Sequence, residues 1–525
     1  ADGAPSGAVV LCPPMQFEYY ASHAAFRLLA ESLAASGVAA LRLDYTATGD
    51  SAGLPSAVDD VALWLDDIRA AVAMLRGAGA PTVGLIGMRM GATLAASAEA
   101  GADFEVAWDP CLTGRRYLRE ATLLARAVVE DSPEMLEALE QDRVQIIGYD
   151  FPVSFAESVS ALRMPSTGPV SRPTLLLTRD GEIPKGLQSW VGPLMDVGVA
   201  EGQEQLVVPQ LDRAVAPTGT ITAITEWCVR AAGSHRARLS PAVSPVVEIE
   251  GPYGHRVTER VTRVGRSGLF AISTEPLGPP RLTLACFNSG AQHRVGPNRL
   301  HVETARLLAP EGVRTIRLDV RTVGDSPGIE QERTSLYWPP TIDDVEDVVA
   351  DLSLLPEPVA LAGLCSGAYH SLEAASRLPV RGVFAIHPVL DLGTMNNRTE
   401  LADGRRRIWM RDRGWVRTMN RYDALRAIKW HIPSWCWALA DRLRIQPEPT
   451  TGIRAIAGRG DTEVVLVMEV SWRENRRLYR LKKAPFGALT IESCVGDHAL
   501  VSISARREVQ ESLIRHALSW RGPAI

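Results

Sequence analysis

The chain is 525 residues long, 46 % apolar and 22 % charged, with a formal net charge of −5. That length suits two domains, and the composition is that of a globular protein. So mild a negative charge argues against a nucleic-acid partner, and no run of roughly 18 uncharged apolar residues offers a membrane span.

The first residues, Ala1-Asp2-Gly3-Ala4-Pro5, carry neither the basic nor the apolar segment of a secretory leader. The seven cysteines are odd in number and scattered, with no C-x-x-C pair. That pattern fits reduced thiols in a cytoplasmic protein and neither a disulfide framework nor a zinc site. Residues 8–11 read as a strand, 24–35 as a helix, 39–43 as a strand and 58–78 as a helix. A strand at 82–86 then runs into Gly87-Met88-Arg89-Met90-Gly91. Short apolar runs alternating with amphipathic helices predict βαβ units on a parallel sheet. A helix at 223–231 closes this half, and a Pro/Ser-rich stretch follows. The expected boundaries are a first domain at 1–235, a linker at 236–245 and a second domain at 246–525.

The second half repeats the order. Residues 246–250 and 268–272 read as an opening antiparallel hairpin. A strand at 281–285, a helix at 301–308, a strand at 315–318 and a helix at 342–354 follow. A strand at 359–362 leads into Gly363-Leu364-Cys365-Ser366-Gly367. Arg42-Leu43-Asp44 with Gly49-Asp50-Ser51 recurs, 275 positions later, as Arg317-Leu318-Asp319 with Gly324-Asp325-Ser326. An internal duplication of domain size is the simplest account. In each copy the aspartates are expected to brace a turn.

A G-x-nucleophile-x-G step between a strand and a helix is the context of a nucleophile elbow. Cys365 stands at its centre in the second half, and Ser366, one step off, is the alternative. At the first elbow the centre is Arg89, which cannot attack a carbonyl because its guanidinium does not deprotonate. The other cysteines read as packing residues. His293 and His387 border the second site and read as loop structure.

The strand–elbow–helix order, the Asp-x4-Gly-Asp-Ser segment and a late Asp and His resemble the α/β-hydrolase superfamily in both halves, and so over nearly the whole chain. Asn288-Ser289-Gly290, with His293 to Arg299 after it, makes the second half similar to the serine-aminopeptidase-like and exosortase-associated branches. The resemblance implies two tandem α/β-hydrolase-like domains, each a mostly parallel sheet flanked by helices. It implies a triad of Cys365 as nucleophile, Asp461 as acid after a strand at 453–457, and His498 after a strand at 489–493. Asp391 competes with Asp461 for the acid. The oxyanion donors would be the N–H groups of Ser366 and of Ser289 in the 288–290 loop. The first half departs from the pattern: Thr178-Arg179-Asp180 keeps an acid loop, but 208–213 holds no histidine. It reads as a non-catalytic copy, whose part is either to stabilise the second half or to bind an anion at Arg89.

A cysteine elbow suits acyl transfer, because a thioester acyl-enzyme keeps the activation of a thioester donor. The second half resembles cysteine-type acyltransferases of carrier-protein-dependent antibiotic biosynthesis. The resemblance implies a phosphopantetheine thioester as part of the donor substrate, an acyl or peptidyl carrier protein as partner, a small-molecule acceptor and no bound metal or redox cofactor. Dienelactone hydrolases, also with a cysteine elbow, keep a hydrolase or thioesterase in view. A non-catalytic scaffold is the third reading. Residues 389–452, where the fold inserts a cap, are dense in arginine and tryptophan (Arg405, Arg406, Arg407, Trp409, Trp415). This stretch is a candidate docking surface for an acidic carrier protein or a solvated lid.

Overall fold

The computed structural model describes residues 4–129, 143–146, 149–165, 168–207, 215–290, 292–328, 339–388, 451–469, 488–496, 498–500 and 502–523. The cap stretch with Asp391, the 208–214 loop and Asp497 lie outside them. The strands among the described residues are β1 (Gly7–Cys12), β2 (Val38–Arg42), β3 (Val83–Met88), β4 (Phe104–Trp108), β5 (Arg143–Ile146), β6 (Tyr149–Pro152), β7 (Thr174–Thr178), β8 (Met195–Val199), β9 (Val246–Glu250), β10 (Arg256–Val264), β11 (Leu269–Glu275), β12 (Leu282–Phe287), β13 (Val313–Leu318), β14 (Val359–Leu364), β15 (Gly382–Ile386), β16 (Glu463–Glu469) and β17 (Leu489–Cys494).

They form a parallel sheet in the order β2-β1-β3-β4-β7-β8, a nine-stranded sheet in the order β17-β16-β15-β14-β12-β13-β11-β10-β9, and the hairpin β5-β6. The nine-stranded sheet is parallel from β17 to β13 and antiparallel at β13-β11 and β11-β10. Counted from its own first strand, each parallel run reads second, first, third, fourth, fifth, sixth. Helices cover both faces, so the central strands are apolar on both. In β1, Ala8, Val10 and Cys12 enter one core while Val9 and Leu11 enter another. Alternation carries consecutive side chains to opposite faces, which is why buried parallel strands read as unbroken apolar runs. The fold is α/β, as expected.

Two expectations are corrected. The antiparallel partner of β11 is β10, at Arg256–Val264, and not residues 246–250. Its pattern hid it: β10 buries Glu259, which pairs with buried Arg306 at 2.9 Å and buried Arg317 at 3.1 Å. Residues 453–457 are not a strand but part of the helix Thr451–Arg459. Ile453 and Ile456 are three apart and both buried, a helical spacing, whereas the strand is the seven-residue apolar run of β16.

The chain forms two compact units. One is Ala1–Arg256 with Ala291–Glu303 and Val501–Ile503; the other is Val257–Gly290 with Thr304–Leu500 and Ser504–Ile525. The segment Ala291–Glu303, expected within the second domain, thus belongs to the first unit. Val295 and Val302 are fully buried in that unit's core. Arg299, also buried, donates to the carbonyls of Ala47, Gly49 and Gly53 at 2.9 Å each, and to that of Ser51. Arg294 pairs with Asp50 at 2.7 Å, and His293 stacks on His23 at 4.0 Å. Within each unit the Asp-x4-Gly-Asp-Ser turn is braced alike. Asp44 accepts from the Asp50 N–H at 3.0 Å, and Asp319 from the Asp325 N–H at 2.9 Å.

Candidate functional site

In the second unit the elbow is built by a close crossing of β14, β12 and the helix Ser366–Arg377. A Cβ on Gly363 would lie 2.3 Å from the Gly367 carbonyl carbon, and one on Gly367 would lie 2.6 Å from the Phe287 and Asn288 carbonyl oxygens. No side chain fits at either flank. Cys365 between them has φ 56° and ψ −110°, a left-handed conformation that a residue with a Cβ adopts only under constraint. Its N–H donates to the Ile386 carbonyl at 2.9 Å, which ties the turn to β15.

The thiol stands at the N-terminus of a helix, where the partial positive charge favours a thiolate. Among the described cysteines Cys365 alone is partly exposed; Cys12, Cys111, Cys228, Cys286 and Cys494 are buried. Burial pushes Cys286 up to about 12 and holds Cys12, Cys111 and Cys228 higher still, so these thiols stay protonated and read as packing.

Ser366 is buried, and its hydroxyl is engaged. The Gly290 N–H donates to Ser366 Oγ at 2.8 Å, and that hydroxyl donates to the Asn288 carbonyl at 3.3 Å. It fixes the 288–290 loop against the elbow, so its structural place is that of a brace. Asn288 anchors the other side, donating from Nδ2 to Asp319 Oδ1 at 3.1 Å and accepting from the Val320 N–H. Ser289 lies between these two anchored residues. The Ser366 N–H is in the first helical turn, where backbone donors have no partner four residues back.

His498 follows β17. Burial first, and the nearby His387 second, pull its pKa down from 6.5 to about 4. It is therefore neutral at pH 7, with one ring nitrogen able to take a proton. The rings of His387 and His498 lie 5.5 Å apart and nearly parallel. His387 directly follows Ile386, the residue that accepts from the Cys365 N–H, so elbow and His loop share one end of the sheet.

Asp461 is not brought there. It precedes β16, two residues before Glu463, which pairs with Gly382 at the start of β15; the elbow end of β16 is marked by Val467, paired with Ile386. Asp461 thus lies six residues before Val467, on the order of 20 Å along the extended chain. Asp461 is 55 % exposed, beside Arg459 at 3.4 Å and Thr462 at 3.1 Å. The misplacement follows from taking the helix Thr451–Arg459 for the strand.

The first unit's elbow has the same backbone, with Arg89 at φ 54° and ψ −121°. Arg89 Nε donates to Glu18 at 3.1 Å and Nη1 to Asp109 at 3.4 Å; Asp109 also accepts from Arg179 at 3.0 Å and from Gln203 at 2.7 Å. Burial pushes Glu18 up to about 7, an effect that Arg89 partly offsets. Asp180, the expected acid, is exposed and caps its own turn through the Glu182 N–H at 3.0 Å. Sequence reasoning missed Glu18, Asp109 and Gln203, because only the fold collects them at one strand end. Among the described residues no group of His, Cys, Asp and Glu could hold a metal ion, and no helix is long and apolar enough to cross a membrane.

No family model matches the chain, and no curated protein matches it by sequence. Solved structures similar to it include an esterase of Pyrococcus furiosus, 16 % identical, covering 55 % of this chain and 97 % of that one, with a TM-score of 0.33. A thioesterase domain from the curacin biosynthetic pathway is 15 % identical over 49 % of this chain and 99 % of that one, with a TM-score of 0.31. A dienelactone hydrolase of Anabaena variabilis is 12 % identical over 53 % of this chain and 97 % of that one, with a TM-score of 0.32.

Proposed function

We propose that the second unit is an acyl-transfer enzyme that works through a thioester on Cys365. The observation that carries this reading is the partly exposed Cys365 at a constrained, left-handed elbow on a helix N-terminus, among described cysteines that are otherwise buried. His498, neutral at pH 7, takes the thiol proton as sulfur attacks the donor carbonyl. The tetrahedral oxyanion is held by the Ser366 N–H and the Ser289 N–H, at about 3 kcal/mol per donor. The donor's carbon–sulfur bond breaks, and its thiolate leaves with the proton from His498. The acceptor's hydroxyl, amine or thiol then loses its proton to His498 and attacks the Cys365 thioester, and the Cys365 thiol is regenerated.

Because His498 is held neutral, the thiol is activated as it attacks and is not kept as a standing ion pair. With Asp461 at the far end of the sheet, Asp391 is the remaining expectation for the acid. The donor is a phosphopantetheine thioester on an acyl or peptidyl carrier protein, whose acidic surface suits the arginine- and tryptophan-rich stretch 389–452. The first unit is read as a duplicated, non-catalytic copy. The offset of 275 residues between the Asp turns and 276 between the elbows, the like strand order and the like elbow dihedrals support that reading.

Product analysis with acyl-carrier-protein thioesters, with and without alcohols and amines, tests transfer against hydrolysis. Ester or amide forming in place of free acid is the expected outcome. Free acid alone, whatever acceptor is present, would make the protein a thioesterase with the same residues.

A further inference from the structure

We propose that His387 is a positioning residue that clamps the His498 loop at the elbow end of the sheet; this rests on the reading of Cys365 and His498 as the reacting pair. His387 is the first residue after β15, fully buried, with φ 45°. Its N–H donates to the Val467 carbonyl at 2.9 Å, so its backbone is fixed to β16, while the preceding carbonyl holds the Cys365 N–H. Its ring therefore springs from a point locked to the elbow.

The ring bridges the turn that carries His498. Nδ1 lies 3.1 Å from the His498 carbonyl oxygen, and Nε2 lies 3.3 Å from Cys494 Sγ. A carbonyl only accepts, so Nδ1 carries the proton. In the neutral ring Nε2 is then the acceptor, and the Cys494 thiol donates to it. Cys494 closes β17 and His498 follows four residues later, so one imidazole holds both ends of the turn. The first unit uses the same backbone place for its own elbow. Asp109, the first residue after β4, has φ 46° and donates its N–H to the Leu177 carbonyl at 2.7 Å, and its carboxylate grips Arg89. In the first unit this position grips the elbow side chain itself, and in the second it holds the turn that carries His498.

The test follows alkylation of Cys365 by iodoacetamide in the full-length protein, mapped by peptide mass and measured across pH. His498→Ala is expected to slow the wild-type reaction at pH 7 and to move its profile toward that of an unassisted thiol, near ~8.5. His387→Leu should act in the same direction, about tenfold or more, because a base displaced by an ångström loses its alignment. His387→Asn keeps a side-chain N–H at the place of Nδ1 and should recover most of the rate. A folded His387→Leu protein that alkylates like wild type overturns the clamp. So does an equal loss in the Leu and Asn variants, which would mark His387 as a packing residue. If His498→Ala itself changes nothing, the reacting pair is misread, and that failure is separate from the clamp.

Discussion

At the scale of single residues, Cys365 stands partly exposed at its elbow, whereas Arg89 is held at the other by the carboxylates of Glu18 and Asp109. His498, lowered to about 4 by burial and His387, stays a base far below the usual histidine range. Acyl-enzyme formation should therefore hold from pH 8 to about pH 5 and fall as pH drops through the folded pKa. A midpoint near ~6.5, the value of an unperturbed imidazole, would contradict the burial. Stability carries the same sign: between the folded and unfolded values the unfolded chain binds the proton, so stability falls as pH falls.

Glu105 has the opposite sign. Burial pushes it up to about 7 from 4.5, and its Oε1 has no hydrogen-bond partner among the described residues. Its stabilising contribution is present below the unfolded value and is lost as pH rises toward the folded one. Glu105→Gln should thus leave stability near pH 4 little changed and raise it at pH 8 by about 2 kcal/mol, read by urea unfolding at the two pH values. Arg89 should be costly to remove. Arg89→Met leaves Glu18 and Asp109 without their buried cation, and a loss of about 3–5 kcal/mol is expected in the unfolding of the first unit.

At the scale of elements, the elbow is a packing problem before it is a catalytic one. Gly367→Ala would set a methyl group 2.6 Å from two carbonyl oxygens of the loop that carries Ser289. The expected result is an acylation rate reduced about 100-fold, with the protein destabilised by about 1–3 kcal/mol, seen by acylation kinetics and denaturant titration. This much was legible in the sequence, because glycine at both flanks of a strand-to-helix turn has few other causes. The parallel strands were legible too, since burial on both faces writes them as apolar runs. β10 was not: its inward Glu259 is matched by Arg306 and Arg317 from other elements, and such pairing leaves no local trace. The helix Thr451–Arg459 was misread for want of length, as a short apolar segment fits either period, and that error carried Asp461 to the wrong end of β16. His387 was visible only as a bordering histidine, and its partners, 107 and 111 residues away, come from the fold.

At the scale of the whole molecule, the two units are not two separable segments of chain. The first unit takes Ala291–Glu303 from between β12 and β13, and Arg299 there closes four carbonyls of the 47–53 turn. Arg299→Met should cost the first unit about 3 kcal/mol, followed by the fluorescence of its buried Trp64 and Trp108 during denaturation. The units also differ at the centre of the elbow: the same backbone turn presents a thiol in one and a salt-bridged guanidinium in the other. The most direct measurement is intact-protein mass after mixing the full chain with a series of acyl-carrier-protein and acyl-CoA thioesters. One acyl group per chain, mapped to Cys365, absent in Cys365→Ala and discharged by an alcohol or amine, is the expected result. An adduct that persists in Cys365→Ala, or no adduct and no turnover of any donor, would contradict it.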